Sequence, residues 1–305
     1  MTTKRTPTVV AFMKRFPTED ACLEHIMRTR YGERLTCAKC GKDARYYRVT
    51  TRRAYSCEHC GNQIYPTAGT PFENTRTSLQ DWFFVMFLFC TTRNGVAAKE
   101  VERQLGVTYK TAWRMCNLIR QYMGYVDGDN RLGGGGGGAP IVEIDHAYIG
   151  GHDKEGEGDK AIVLGMVERG GDVLTRHIPN RSRRVVIPTI TTWVRHGSRV
   201  MSDDEKVFNV PDMEIYRHEY VNHSEGEYVR GSVHTNNIEA FWGIVKRSIN
   251  GTYVHVSKKH LQAYLSEIEY RYNLRKQPHL MFDLLLQAFP KAGEDHGITS
   301  PTIKR

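Results

Sequence analysis

Three carboxylates stand where a carboxylate is costly or conspicuous. Asp145 sits in the strand-like run IVEID (141–145), at a position where alternation asks for an apolar side chain, and Asp203 closes a second run, SRVMSDD (198–204). Glu239 lies in HTNNIEAFWGIVKR (234–247). There Ile238, Phe241, Trp242 and Val245, continued by Ile249, recur at steps of three and four, as on the buried stripe of an amphipathic helix. Glu239 and Lys246 return to nearly the same azimuth after two turns, with Asn236 one turn before Glu239. A carboxylate inside a fold needs a partner, a hydrogen bond or a cation. Three of them from separate elements would suit hard cations such as Mg²⁺ or Mn²⁺. A pair of such ions activates a water or a 3′-hydroxyl and stabilises the leaving oxygen of a phosphodiester. On that reading Asp145, on a central strand, bridges the two ions, and Asp203 and Glu239 each hold one. Alternatives stand beside it. Asp204 adjoins Asp203 and periodicity does not choose between them, and Glu143 shares the strand face of Asp145. Taken singly, a strand-end Asp is an ordinary turn residue and a helical Glu an ordinary surface one.

The elements that would position these acids form a mixed α/β pattern. IVEIDHAYIGG (141–151), AIVLGMVE (161–168), DVLTRHI (172–178) and SRVMSDD read as strands, and VVIPTITTWVRH (185–196) as a helix. Residues 211–233, with His218, His223 and Tyr228, read as a polar loop. HTNNIEAFWGIVKR and HLQAYLSEIEYRYNLRK (260–276) supply two closing helices.

The N-terminal part carries different signals. Cys37 and Cys40 form one CxxC and Cys57 and Cys60 another, 16 residues apart, each followed by a glycine. In a reducing compartment this spacing favours one tetrahedral Zn²⁺ held by four thiolates over disulfides, a closed structural site. RYYRV and RRAYS between them alternate like a hairpin, as in a zinc ribbon. Cys22, Cys90 and Cys116 lie in apolar contexts and read as core thiols. SLQDWFFVMFLFCTTR (78–93) reads as a buried helix capped by Ser78. GVAAKEVERQLG (95–106) and VTYKTAWRMCNLIRQYM (107–123), split by Gly106, have the layout of a helix-turn-helix. Thr108 would cap the second helix, leaving Tyr109, Lys110, Thr111 and Arg114 on its DNA-facing end; a plain helical hairpin fits the same pattern. Gly133 to Gly138 are six consecutive glycines without the Lys-Ser/Thr of a phosphate loop, hence a linker. The expected divisions are 1–70, zinc ribbon with an N-terminal helix; 71–130, helix-turn-helix; 131–140, linker; 141–290, catalytic α/β domain; and 291–305, tail.

Charge separates the two halves. Residues 1–120 hold 20 Lys and Arg against 10 Asp and Glu, and residues 121–305 hold 23 against 24, so +10 of the net +9 belongs to the first part and −1 to the second. Such a surface points to a polyanion. The longest apolar run, Trp82 to Cys90, is short of a membrane span, and residues 1–30 lack the apolar stretch of a secretory signal, which together predict a cytoplasmic protein without a membrane partner.

Taken together, the motifs resemble the DDE transposases of bacterial insertion sequences that carry a zinc ribbon and a ribonuclease H-like catalytic domain. The resemblance runs from about residue 19 to 280. It rests on the two CxxC pairs, Y65-P-T-A-G-T-P-F, V142-E-I-D-H-A-Y-I-G-G, S202-D203 followed by Phe208, H218-E-Y-V-N-H-S, E227-Y-V-R-G, H234 to R247, V256-S-K-K-H-L and Y270-R-Y-N. It implies Asp145, Asp203 and Glu239 as the metal-binding acids, choosing Asp203 over Asp204. Asn236 would stand beside or in place of Glu239, and Lys246 would be the basic residue two turns after the third acid. It also implies strand cleavage and transfer with two Mg²⁺ or Mn²⁺ ions, and double-stranded DNA, both element ends and target, as partner of a homodimer. A structure-selective nuclease would share the chemistry. A DNA-binding regulator with a vestigial catalytic domain is the alternative from another class.

Overall fold

The computed structural model describes residues 6–128, 130–134, 140–150, 160–203, 215–221 and 229–291. The chain divides into two compact units: Met1–Thr92, Ala98–Tyr122 and Gln277–Arg305 form one, Arg93–Ala97 and Met123–Lys276 the other.

In the first unit, Thr8 and Thr18 cap α1 (Val9–Arg15) and α2 (Glu19–Tyr31), each accepting the backbone N–H three residues on at 3.2 Å. Short strands follow: β1 (Leu35–Thr36) pairs with β2 (Asp43–Ala44), and β3 (Tyr46–Val49), β4 (Ala54–Cys57) and β5 (Gln63–Ile64) form an antiparallel sheet. The hairpin expected between the CxxC pairs is β3–β4. Ser78 caps α3 (Leu79–Thr91), donated to by the Asp81 N–H at 3.0 Å. Then come α4 (Ala98–Leu105) and, joined to it through Gly106 at φ +65°, α5 (Tyr109–Asp127), which belongs to this unit as far as Tyr122. The helix Met281–Ala288, expected with the catalytic domain, belongs here. Its reason is aromatic: Phe282 packs on Phe12, Phe16 and Phe87, and Phe289 on Phe72, Trp82 and Tyr122.

The second unit is built on a five-stranded sheet of β6 (Ile141–Ile149), β7 (Ala161–Glu168), β8 (Val173–Ile178), β9 (Arg199–Asp203) and β10 (Arg217–Val221), in the order β10-β9-β6-β7-β8. β7 runs antiparallel to β6 and β8; β9 is parallel to β6, and β10 to β9. One face buries Val142, Ile144, Leu164, Met166 and Val200 against Val186, Ile187 and Ile190 of α6 (Arg183–Trp193). The other buries Ala147, Val163 and Val167 against α7 (Asn236–Arg247) and α8 (Lys258–Asn273). Each buried aliphatic side chain contributes roughly 1.5–3 kcal/mol. The alternating strands and the periodic helices thus enclose two apolar layers, and the stripe Ile238, Phe241, Trp242 and Val245 docks α7 on the sheet.

Two expectations are corrected. Part of the supposed loop 211–233 is the edge strand β10, polar because only Val221 is fully buried, so it offers no apolar alternation to read. The supposed linker begins inside the fold. Leu132 is buried in the α6 layer and bridges to Val194, Gly133 N–H donates to Glu168 at 2.8 Å, and Gly134 N–H to Ser198 at 3.1 Å. Residues 135–139, Asp204, Phe208, His223 and Tyr228 lie outside the described residues.

Candidate active site

The β6–β9 register pairs Ile141 with Arg199 through Ile144 with Ser202, so the next step sets Asp145 across from Asp203. Paired positions on parallel strands share a face, with the strands about 4.8 Å apart. Both acids are half-buried. Burial, and then the negative charge of Asp203, push the Asp145 carboxyl up to about 6, against hydrogen bonds from the His146 N–H at 2.7 Å and the Trp242 indole N–H at 3.0 Å. Two adjacent, partly desolvated carboxylates, one inside β6 and one at the end of β9, are a donor set that a divalent cation relieves.

Helix α7 is pinned beside them by a residue that the sequence left as a competitor. Glu143, two residues before Asp145 on the same face, is 0% exposed. It accepts the N–H groups of Asn237 at 2.7 Å and Ile238 at 3.0 Å, the Asn237 side-chain amide at 2.7 Å, and Arg169 Nε at 2.6 Å. A strand carboxylate thereby satisfies the orphan donors at the positive end of α7. Arg169 extends the clamp to the carbonyls of Ser232 at 2.8 Å and His234 at 2.9 Å.

The three α7 residues expected at the site face water. Glu239 is exposed and its carboxylate accepts Thr235 Oγ1 at 2.8 Å; Asn236 and Lys246 are exposed as well. Helical pitch puts Glu239 about one turn before Trp242, and Lys246 about one turn after. The structure therefore brings Asp145 and Asp203 together and sets α7 against Asp145, while Glu239 rests on Thr235. Among the described residues, Cys37, Cys40, Cys57 and Cys60 form the group of three or more metal-type ligands whose atoms all lie within 4.8 Å of one another.

Two residues beyond the expected set shape the site, Trp242 and Gly165. A buried indole must place its N–H on an acceptor, and a lone glycine inside the strand AIVLGMVE marks a close approach; those were the available signals. A Cβ on Gly165, the strand partner of Asp145, would come within 2.5 Å of the Trp242 ring and 2.8 Å of Ile238.

The cysteines occupy two matching knuckles. Gly41 N–H donates to the Cys37 carbonyl and Gly61 N–H to that of Cys57, both glycines at φ +71°, a region that favours glycine. Sγ atoms of Cys37 and Cys60 lie 3.6 Å apart, and those of Cys40 and Cys57 4.0 Å. Tetrahedral Zn–S bonds of about 2.3 Å require S···S separations of roughly 3.8 Å, so the donor set fits Zn²⁺. The Tyr46 hydroxyl, and after it the Cys40 N–H, pull the Cys37 thiol down to about 5, towards the thiolate a metal needs.

At the start of α5, Tyr109 and Lys110 are exposed, and the Thr111 N–H donates to Thr108 Oγ1 at 3.3 Å. Arg114 is half-buried, its guanidinium 5.9 Å from the Trp82 ring centre, and burial lowers its pKa.

Comparison with known proteins adds to this geometry. Residues 134–273 match the ISXO2-like transposase domain, and residues 17–63 the transposase zinc-ribbon domain. An uncharacterized transposase-like protein of Haemophilus influenzae is 30% identical over 101 residues, 33% of this chain and 80% of that protein. The chain belongs to the zinc-ribbon DDE transposases of insertion sequences. The transposase is also 25% identical over 292 residues, 87% of its own length and 95% of the other's, to an uncharacterized protein in transposable element ISH50 of Halobacterium salinarum. Its mixed sheet fits the ribonuclease H-like class. Among the described residues no helix is long and apolar enough to cross a membrane.

Proposed function

We propose that the transposase binds the terminal inverted repeats of its element and cuts and joins DNA strands at Asp145, Asp203 and Glu239. The observation that carries this reading is the register that sets Asp145 beside Asp203, with α7 held against Asp145 by Trp242. Asp145 and Asp203 would hold two Mg²⁺ or Mn²⁺ ions. Bound there, the ions supply an activated hydroxyl and a stabilised leaving oxygen. Glu239 completes the set when its carboxylate leaves Thr235, with Asn236 on the same side of the helix, and Lys246 meets a DNA phosphate. Buried Glu143, with half-buried Arg169, keeps α7 in register for this.

Recognition of the ends falls to the first unit, whose sequence holds the basic excess. One Zn²⁺ on Cys37, Cys40, Cys57 and Cys60 folds the ribbon and leaves no open position for chemistry. Tyr109, Lys110 and Thr111 present the exposed end of α5 to the duplex, with Arg114 turned partly inward. Joining two ends to a target calls for two copies on double-stranded DNA, working in the cytoplasm.

The test is Mn²⁺-dependent nicking of DNA carrying the element's flanking repeats. The wild type should nick it, and Asp145→Ala should bind equally well without nicking. Binding without nicking by the wild type would sink the enzyme and leave a DNA-binding regulator.

A further inference from the structure

Ser202 puts a hydroxyl where the fold offers an apolar layer. It is fully buried, and the strand register sets it beside Ile144, two residues after buried Val200, on the sheet face that packs against α6. A buried hydroxyl needs partners. The Ser202 oxygen lies 3.0 Å from the Asp203 carbonyl and 2.8 Å from Nε2 of His218, which reaches across from β10.

Counting hydrogens gives this chain a direction. The hydroxyl carries one hydrogen and a carbonyl can only accept, so Ser202 donates to Asp203 and its lone pair accepts from His218. The ring must then carry a hydrogen on Nε2. The neutral ring in that tautomer and the imidazolium both do, so the bond does not depend on titration. His218 is half-buried, and its ring lies 6.3 Å from that of Tyr220 at 29°, which helps to hold it in place.

The chain of bonds ends where the site needs support. Pairing of β9 with β6 stops at Ser202, one residue short of Asp203, whereas β10 stays alongside until Val221 stands opposite Asp203. The backbone of this acid is thus held from the β10 side, by the ladder and by the bonds from His218 through Ser202. His218 works from the α6 face, and the Asp203 side chain points to the other face with Asp145.

We propose that His218 is a positioning residue for Asp203, fixing through Ser202 the strand end from which that acid would hold a metal ion. The proposal rests on the reading of Asp145 and Asp203 as an ion-binding pair. Outer partners of metal ligands typically govern affinity ten- to a hundredfold. A Mn²⁺ titration of the full chain, with free Mn²⁺ read by electron paramagnetic resonance and Asp145→Ala as background, tests it. His218→Leu and Ser202→Ala should each weaken the Asp145-dependent binding about tenfold, and the double variant no further. His218→Gln, whose amide can donate to the same oxygen, should lie nearer the wild type than His218→Leu does. Circular dichroism and melting without added Mn²⁺ identify the folded variants, and Ser202→Ala, which removes a single oxygen, decides the matter if leucine unfolds the edge. Wild-type affinity in Ser202→Ala, or a glutamine variant as weak as a folded leucine one, would overturn the role of His218 and leave the acid pair standing. No Asp145-dependent binding by the wild type would overturn the pair, and His218 with it.

Discussion

The indole N–H of Trp242 donates to Asp145 Oδ2 at 3.0 Å, so the side chain that anchors α7 also orients an acid of the site. Trp242 is 5% exposed, and out of water its N–H requires an acceptor. The carboxylate of Asp145 supplies it, and the bond to an ionised group is of the stronger kind. Packing and site geometry are therefore one constraint.

Trp242→Phe keeps most of the apolar ring and removes that donor. Because the bond favours the ionised carboxylate, its loss raises the Asp145 pKa further. The acid limb of the pH profile for Mn²⁺-dependent nicking should move to higher pH, with stability lowered by about 1–3 kcal/mol. An unmoved limb with the same stability loss would make Trp242 a packing residue alone.

Gly165→Ala tests the seat of the helix. The added methyl meets the Trp242 ring and Ile238, so α7 must shift away from Asp145 or the strand must distort. Overpacking of this kind costs about 1–3 kcal/mol, and nicking should fall far more than the folded fraction does. Urea unfolding beside a nicking assay separates the two, and activity that tracks stability alone would count against a positioning effect.

Glu143→Gln replaces a carboxylate that accepts four donors with an amide whose NH₂ faces some of them. Breaking a buried, hydrogen-bonded charge pair should cost about 3–5 kcal/mol. Arg169→Ala should cost a comparable amount. The double variant should cost clearly less than the two summed, since they act in one network. Strict additivity in urea titrations would show that the two residues act apart.

Much of this was legible in the sequence, and the rest was hidden for identifiable reasons. The Cys37/Cys40 and Cys57/Cys60 knuckles, the Ser78 and Thr108 caps and the α7 stripe are local, and local spacing fixed them. Glu143 looked like a rival of Asp145 because its partners, Arg169 and the start of α7, are 26 and 94 residues away. β10 escaped because only one of its five residues, Val221, is buried, which leaves no apolar alternation to read. Residues 281–288 fall in the 141–290 division by chain order alone, whereas Phe282 packs with the aromatic core of α1 and α3.

Zinc removal should act on the first unit alone. Metal analysis should find one Zn²⁺ per chain, and Cys57→Ser should hold none. Because ligation supplies the ribbon's folding energy, residues 37–60 should then become protease-sensitive. Asp145-dependent Mn²⁺ binding should persist. An intact ribbon in a zinc-free variant would show that the hairpin β3–β4 folds by its own packing.

The pH dependence of stability carries the sharpest test of the acid pair. An aspartate titrates near 3.9 in the unfolded chain, whereas Asp145 in the fold titrates at about 6. Between those values the native state holds the extra proton, so this group makes stability fall as pH rises from about 4 to 6, by at most about 3 kcal/mol. Asp145→Asn should flatten that slope and, at pH 7 without divalent metal, melt at a higher temperature than the wild type. Mg²⁺ or Mn²⁺ should reverse the order by binding the folded wild type, each hundredfold excess over Kd adding about 2.7 kcal/mol. Thermal melts of both proteins across pH, with and without metal, would reveal it. A wild type indifferent to both pH and metal would mean that Asp145 and Asp203 do not form an ion-binding pair.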